Sequence, residues 1–363
     1  MSAVCEPQAF VAGPLPAARL YVWGISHHTS SLAEREALAL DGTGRARLDR
    51  WLAAHTWHKE HLVLATCNRL EIYCVTREPV FADAVADQVA YTTGVDRRQL
   101  AAQSYTHVGE AAVRHLFRVC AGIDSQIVGE PEILGQVKAS YEAANAAGQL
   151  GPWLHRVFQK AFQAAKWVRT HTRIARGQTS VGAVTVELAE RICGDLRKAK
   201  ILVLGAGEVA ESTLHSLQKR GARKMWLANR TPAAAERLAD TVGGAALPFA
   251  EWAQQLRNMD VLIASTAAPQ PLLSVEMATT AMRHRRGRPL CLIDLAMPRN
   301  VVPETGALAN VFYYDLDNLA AVANENLVER RSEVRQCEKV LAERSARLWS
   351  NWWPQVLRYF REG

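Results

Sequence analysis

Three stretches of this sequence predict a multidomain α/β chain. Two runs of strand composition, Leu62-Val63-Leu64-Ala65 and Glu71-Ile72-Tyr73-Cys74-Val75, flank a short polar turn and sit among helical segments. That is the pattern of a small α+β domain at the N-terminal end. Further on, Ile201-Leu202-Val203-Leu204 reads as a buried parallel strand and runs into Gly205-Ala206-Gly207 and a helix. Strands alternate with helices from there, which predicts a doubly wound, Rossmann-type sheet. After Tyr314 the chain reads as one long helix dense in Glu and Arg.

Composition bounds the classes. The chain has 363 residues, enough for two or three domains with substantial cores. Hydrophobic residues make up 49% and charged residues 22%, as in ordinary globular proteins. The net charge of +7 suits a polyanionic partner without identifying one. Seven cysteines, none in a Cys-x-x-Cys pair, argue against a disulfide framework or a zinc site and for a reducing compartment. No apolar run reaches membrane-spanning length and no secretion signal is evident, so a cytoplasmic protein without a membrane partner is expected. Pro7, Gly13, Pro14 and Pro16 read as a loose leader.

The elements follow in order. Arg19–Gly24 is an opening strand and Ile25–Thr29 a polar loop. Ser30 or Ser31 caps a helix over Leu32–Leu40. A helix over Arg45–His55 precedes the strand before Cys67, and Phe81–Tyr91 is helical. Val113, Leu116, Phe117 and Cys120 have helical spacing, broken by Gly122 and by Gly129-Glu130-Pro131. A helix from Ile133 to Ala147 stops at Gly148, and another runs from Gly151-Pro152 to about Ile174. On it, Lys166, Arg169, Arg173 and Arg176 share a face, which suits either a solvated surface or phosphate contacts. Ser180–Ile192 is a helix leading into the second domain. Its later strands are Met225–Ala228, Asp260–Ser265 and Leu290–Leu295. In the last helix, Leu316, Leu319, Leu327, Val334, Leu341 and Leu348 form a stripe, ending in Trp349, Trp352, Trp353, Tyr359 and Phe360. This is the composition of an exposed or self-associating helix, and its aromatic end needs a surface to bury against.

Two stretches carry chemistry. Cys67, at a strand end in Thr66-Cys67-Asn68-Arg69, is placed to meet a substrate. A thiol attacks as thiolate, and Arg69 supplies a fixed positive charge to lower its pKa or to hold an anionic substrate. A half-buried cysteine of no special reactivity is the ordinary alternative, and local sequence alone favours it. In the second stretch Gly205 permits a tight turn and Gly207 lets a backbone approach a pyrophosphate at the helix N-terminus. Ala210 stands where the third glycine would be. The strand after it ends in Asn229-Arg230-Thr231 with no carboxylate, which favours NADPH over NADH. His115 lies on an apolar helical face, where a histidine is usually structural. Ser125 suits a cap and Gln136 a helix surface. The histidines show no metal-ligand spacing, so no metal is expected.

Taken together, Gly24–His27, Thr66–Tyr73, His115–Val119, Asp124–Lys138, Gly205–Glu208, Asn229–Thr231 and Asp294–Arg299 resemble glutamyl-tRNA reductase, in order from Leu20 to Arg330. The resemblance implies a catalytic domain over residues 1–160 and an NADPH-binding domain over 161–310. It also implies a spinal helix with a shortened dimerisation region over 311–363. It implies reduction of glutamyl-tRNA(Glu) to glutamate-1-semialdehyde on the C5 route to tetrapyrroles. It assigns catalysis to Cys67 and His115, and the glutamyl group to Thr66, Asn68, Arg69, Ser125, Glu130, Pro131, Glu132 and Gln136. It assigns the cofactor to Gly205, Ala206, Gly207, Glu208, Val209, Ala210, Asn229, Arg230 and Thr231. A thioester at Cys67 fits, because a thioester accepts hydride more readily than an ester. The two sites lie in different domains, so a hinge closure is expected.

Departures from the family pattern are few. Glu130-Pro131-Glu132 stands where the family usually has Glu-Pro-Gln, and His27-His28-Thr29-Ser30-Ser31 where it usually has His-Lys-Thr before Ala-Pro. The aldehyde-handling partner implied is glutamate-1-semialdehyde aminomutase. The early end of the chain argues against dimerisation in the family's manner. The rival readings are a specialised paralogue acting on another carrier-linked acyl group, suggested by Glu132, and a catalytically silent binding module.

Overall fold

A computed structural model describes residues 19–55, 58–76, 81–174, 180–324 and 327–362. The expected leader, Arg176 and Glu325 lie outside these. The first unit runs β1 (Arg19–Ser26), α1 (Leu32–Ala37), α2 (Gly42–Ala54), β2 (His58–Ala65), β3 (Arg69–Thr76), α3 (Phe81–Thr93), α4 (Arg97–Gln103) and β4 (Tyr105–Val108). Then come α5 (Glu110–Ala121), α6 (Glu132–Ala146) and α7 (Pro152–His171). Its sheet is antiparallel, in the order β2-β3-β1-β4. The short pair α4 and β4 was not legible in the sequence, because Tyr105-Thr106-His107-Val108 carries little apolar signal. One face of the sheet packs Leu20, Val22, Leu62, Leu64, Tyr73 and Val75 against α5 and α7. The other packs Trp23, Ile25, Ile72 and Cys74 against α2 and α3.

The second unit runs α8 (Val181–Cys193), β5 (Lys200–Leu204), α9 (Glu208–Lys219), β6 (Lys224–Ala228), α10 (Pro232–Val242) and β7 (Ala245–Ala246). It continues with α11 (Trp252–Gln255), β8 (Val261–Ala264), α12 (Val275–Arg283), β9 (Leu290–Asp294) and β10 (Val311–Tyr314). The sheet is parallel, in the order β10-β9-β8-β5-β6-β7, with cores on both faces. This is the doubly wound order predicted from the alternating pattern, and it puts the topological switch point between β5 and β8.

The expected boundary at residues 160/161 falls inside a continuous helix. Ala161, Ala164, Ala165 and Val168 of α7 are buried in the first unit's core, so the whole helix belongs there. The expected single C-terminal helix is two, α13 (Leu316–Asn324) and α14 (Leu327–Glu362). Nor is the stripe of α14 exposed. Cys337, Leu341, Leu348, Trp352 and Trp353 are buried against the first unit. Trp352 meets Trp153 at 5.9 Å between ring centroids. The aromatic end thus finds its surface within the chain, while Tyr359 and Phe360 lie beyond the described side chains. Among the described residues, no helix is long and apolar enough to cross a membrane.

The two units are joined by burial of Ile127 from the first in the core of the second and by charged and polar contacts. Arg299 of the second unit donates from Nε to Glu36 Oε1 at 2.9 Å and from Nη2 to Glu36 Oε2 at 2.7 Å. Buried Arg35 donates to Asp317 at 2.8 Å, and the Gln126 amide donates to the same carboxylate at 2.7 Å.

Trp352→Ala is expected to lower the free energy of urea unfolding by about 3–5 kcal/mol, the usual cost of deleting a buried aromatic. Lys339→Ala, on the solvent face of α14, should change it by less than about 0.5 kcal/mol. A Trp352→Ala loss as small as that of Lys339→Ala would show that α14 is not docked as described.

Candidate active site

Cys67 occupies the tip of the β2–β3 hairpin. Thr66 closes the turn: its backbone N–H donates to Arg69 O at 2.8 Å, and its hydroxyl accepts from Asn68 N and Arg69 N, both at 3.2 Å. Facing it is the loop after α5. Gly122 ends that helix at φ +75°, and a Cβ there would lie 2.9 Å from Glu130 O, so only glycine lets the loop fold back. The loop carries Asp124, Ser125 and Glu130 into the site. Arg169 of α7 anchors its end by donating from Nη2 to Glu130 O at 2.8 Å. Arg169 is therefore not part of a solvated face, and the helix stops before Arg173.

Arg69 is fully enclosed. Its Nη1 donates to Glu71 at 2.8 Å and to Asp124 at 3.1 Å, and its Nη2 to Asp124 O at 2.5 Å. Glu71 also accepts from the hydroxyls of Tyr73 (2.5 Å) and Tyr105 (2.6 Å) and bonds His115 Nε2 at 2.8 Å. Burial opposes ionisation of Glu71, but the charges of His115 and Arg69 hold its carboxyl well below the usual range. Asp124 is held low against its own burial by His28 and Arg69.

A narrow cavity of about 40 Å³ opens beside Cys67. It is lined by Thr66, Asn68, Arg69, Ser125, Glu130, Glu132 and Gln136 from the first unit, and by Val181, Val209, Leu295 and Leu316 beyond it. Among the described residues, Arg69 Nε, Asn68 Oδ1 and Glu132 Oε2 are buried there without hydrogen-bond partners. Donor and acceptor atoms left open together suit a polar ligand with groups of both kinds. Burial and the charge of Glu132 push the Glu130 carboxyl up to about 7.

Three sequence expectations need correction here. Arg69 does not leave Cys67 a ready thiolate. Its charge is taken up by Glu71 and Asp124, and burial, with Glu130 opposite, pushes the thiol up to about 12. His115 does not line this cavity. It opens on a separate cleft of about 410 Å³ with His28, His107, Arg114, Arg118 and Asp124. Pro131 lies at the surface and does not line it; its carbonyl meets Arg169 at 3.3 Å. Glu71 and Asp124 were not singled out from the sequence, and Arg169 was read only as one of four cations on a helix face, since no local pattern marks a residue that acts by holding another.

The second cleft, of about 560 Å³, lies at the C-terminal ends of β5, β6, β8 and β9. Gly205, Ala206, Gly207, Asn229 and Arg230 line it, as do Ser265, Thr266, Leu295 and Met297. Gly205 is at φ +107°, and a Cβ would lie 2.1 Å from Ser265 O. A Cβ at Gly207 would meet nothing within 4 Å, so the helix N-terminus faces open space. No side chain caps α9, which leaves its first N–H groups for an anion. The cleft thus fits a dinucleotide. Glu208, Val209, Ala210 and Thr231 do not line it: Ala210 is packed in the core, Glu208 and Thr231 face outward, and Val209 turns toward Cys67. Leu295 lines both this cleft and the Cys67 cavity. Met297 lines this cleft and a second crevice at Cys67. Among the described residues, no three His, Cys, Asp or Glu side chains are grouped to hold a metal.

A family model described as "Glutamyl-tRNAGlu reductase, N-terminal domain" matches residues 23–172, and one described as "Shikimate / quinate 5-dehydrogenase" matches residues 187–322. A glutamyl-tRNA reductase of Syntrophotalea carbinolica is 38% identical over 330 residues, covering 91% of this chain and 74% of the relative. Another, of Akkermansia muciniphila, is 38% identical over 331 residues, covering 91% and 97%. The solved glutamyl-tRNA reductase from Methanopyrus kandleri aligns at 35% identity with a TM-score of 0.49, over 92% of this chain and 80% of that one.

The raised Glu130 carboxyl carries a pH signature. Its folded value of about 7 exceeds its ordinary value of 4.5. Between these the folded state holds more protons, so stability falls as pH rises through the window. Glu130→Gln should remove this fall and be the more stable protein above pH 7, by on the order of 1–3 kcal/mol. Parallel pH–stability curves for the two proteins would contradict the assignment.

Proposed function

The chain belongs to the glutamyl-tRNA reductase family, and on that premise we propose that it converts glutamyl-tRNA(Glu) to glutamate-1-semialdehyde with NADPH through a thioester at Cys67. One observation carries the reading: Leu295 and Met297 line both the nucleotide cleft and the crevices at Cys67. The sulfur and the nucleotide cleft therefore face each other across one wall of side chains.

The chemistry follows from the residues. Sγ attacks the ester carbonyl, the C–O bond to the ribose breaks, and the thiol proton passes to the leaving ribose oxygen. A thiol pushed up to about 12 needs a nearby base, and Glu130, ionising at about 7, is the carboxylate that faces it. Arg35 and Arg69 favour the thiolate as it forms. Asn68 Oδ1 and Glu132 Oε2 offer acceptors to an ammonium group, and Arg69 Nε a donor to a carboxylate. His115 acts at one remove, fixing Glu71 and through it Arg69. The N-terminus of α9 with Gly205, Ala206 and Gly207 would hold the pyrophosphate, and exposed Arg230 a 2′-phosphate. NADPH supplies hydride to the thioester carbon when bound. The cavity of about 40 Å³ has room for about three waters, at roughly 10–15 Å³ each. The units must part to admit a glutamyl group, which supports the hinge expected from sequence.

NADPH-dependent aldehyde formation with individually charged tRNAs tests this reading. Glutamyl-tRNA should be reduced, and Cys67→Ser should lower the rate by about 10³-fold or more. Full activity in Cys67→Ser would reject the thioester. Arg230→Asp should lower kcat/KM for NADPH relative to NADH by about 10- to 100-fold, the worth of a charge-assisted contact; an unchanged ratio would reject Arg230 as the 2′-phosphate ligand.

A further inference from the structure

Between Glu142 and Glu187 the chain contains six Lys and Arg residues and no Asp or Glu. Most of this stretch is α7. The buried side of α7 is Leu154, Val157, Phe158, Ala161, Ala164, Ala165 and Val168. Its opposite side exposes Arg156, Lys160 and Lys166, interleaved with Gln159, Gln163 and Thr170. At 100° per residue these six positions lie within about 120° of one another, so they form one ridge. Lys160 bonds only to the neutral Gln163, at 3.0 Å. Arg344 of α14, whose guanidinium lies 4.8 Å from the Trp167 ring centroid, and Lys138 of α6, 5.9 Å from the Phe162 ring centroid, add charge along its flanks.

A solvated helix normally interleaves both signs of charge, because opposite pairs three and four residues apart stabilise it and like charges repel. A twenty-residue helix without one carboxylate forgoes that support. Its position supplies a reason. One turn beyond Lys166, Arg169 holds the backbone of Glu130, which lines the Cys67 cavity. The ridge therefore leads away from the reacting end. Arg156 to Lys166 spans about 15 Å at 1.5 Å per residue. That is several phosphates of a nucleic-acid duplex, whose charges recur about every 3.4 Å along one strand.

We infer that the outward ridge of α7, Arg156, Lys160 and Lys166, is a docking track for the phosphate backbone of the RNA that carries the acyl group. This rests on the reaction proposed above and names the surface by which that substrate is held. The contacts are to phosphate and carry affinity rather than sequence choice. The Gln163 amide between the cations, whose oxygen accepts from Lys160, adds N–H donors that suit phosphate oxygens.

The test compares wild type with Arg156→Gln/Lys160→Gln/Lys166→Gln and with a control of equal charge change on the second unit, Lys219→Gln/Arg223→Gln/Lys224→Gln, all exposed. Binding of glutamyl-tRNA and steady-state reduction are followed across salt concentrations. The ridge variant should bind at least about tenfold more weakly at low salt, with the slope of log affinity on log salt reduced by about 2–3. KM should rise while kcat at saturation is kept, and the control should match wild type. Wild-type KM and slope in a folded ridge variant, with wild type active, would overturn the track and leave the reaction standing. An equal loss in the control would also overturn it, since net charge alone would then explain binding. Loss of binding to anionic phospholipid vesicles with tRNA affinity unchanged would overturn it in favour of a membrane surface. If wild type binds tRNA through the ridge but reduces nothing, the reaction reading fails and the track stands.

Discussion

A guanidinium shut away from water dictates the shape of the reacting end of this protein. An unpaired charge in such a place is costly by several kcal/mol, so the surroundings of Arg69 must balance it. They do so from three places: Glu71 on the same strand, Asp124 on the loop after α5, and, at second hand, His115 on α5 itself. Each bond ties the hairpin tip to another element. The turn that presents Cys67 is therefore held by the network beneath it, not by packing of the thiol. The same balance leaves little of the arginine's charge for the sulfur, which is why burial wins and the thiol stays protonated at rest.

The second consequence concerns where the two units meet. The Cys67 turn contacts the core of the second unit, beside Val181 and Val209. Ion pairs close the joint at Arg35–Asp317 and Arg299–Glu36. The joint is mixed: these charged pairs lie beside Ile127 of the first unit, which is buried in the core of the second. The wall shared by the nucleotide cleft and the Cys67 crevices consists of Leu295 and Met297, from the loop after β9. That loop is braced by buried Asp294, which accepts from Ala296 N and Val301 N. Burial pushes the Asp294 carboxyl up to about 7.

Much of this was legible in the chain itself. Period and punctuation gave the parallel sheet, the glycine turn and the long C-terminal helix, because each is a local pattern. The β2–β3 hairpin was legible because strand composition flanks a polar turn. What stayed hidden was relational. Arg69 beside Cys67 in sequence suggests a lowered thiol, yet its charge is absorbed by Glu71, two residues on, and by Asp124, 55 residues away. Arg169 shares helical spacing with surface cations but turns to hold a loop. The apolar stripe of α14 looked unpartnered because its partners, α5 and α7, begin 217 and 175 residues earlier. Val209 and Thr231 belong to motif stretches whose glycines and arginine line the cleft, while their own side chains point elsewhere.

Quenching the enzyme after mixing it with glutamyl-tRNA in the absence of NADPH, then mapping modified peptides by mass spectrometry, tests the central claim most directly. The account predicts a hydroxylamine-sensitive glutamyl adduct on the peptide bearing Cys67, discharged to aldehyde when NADPH is added. Aldehyde formation in the same preparation with no adduct at Cys67 at any time point would contradict it.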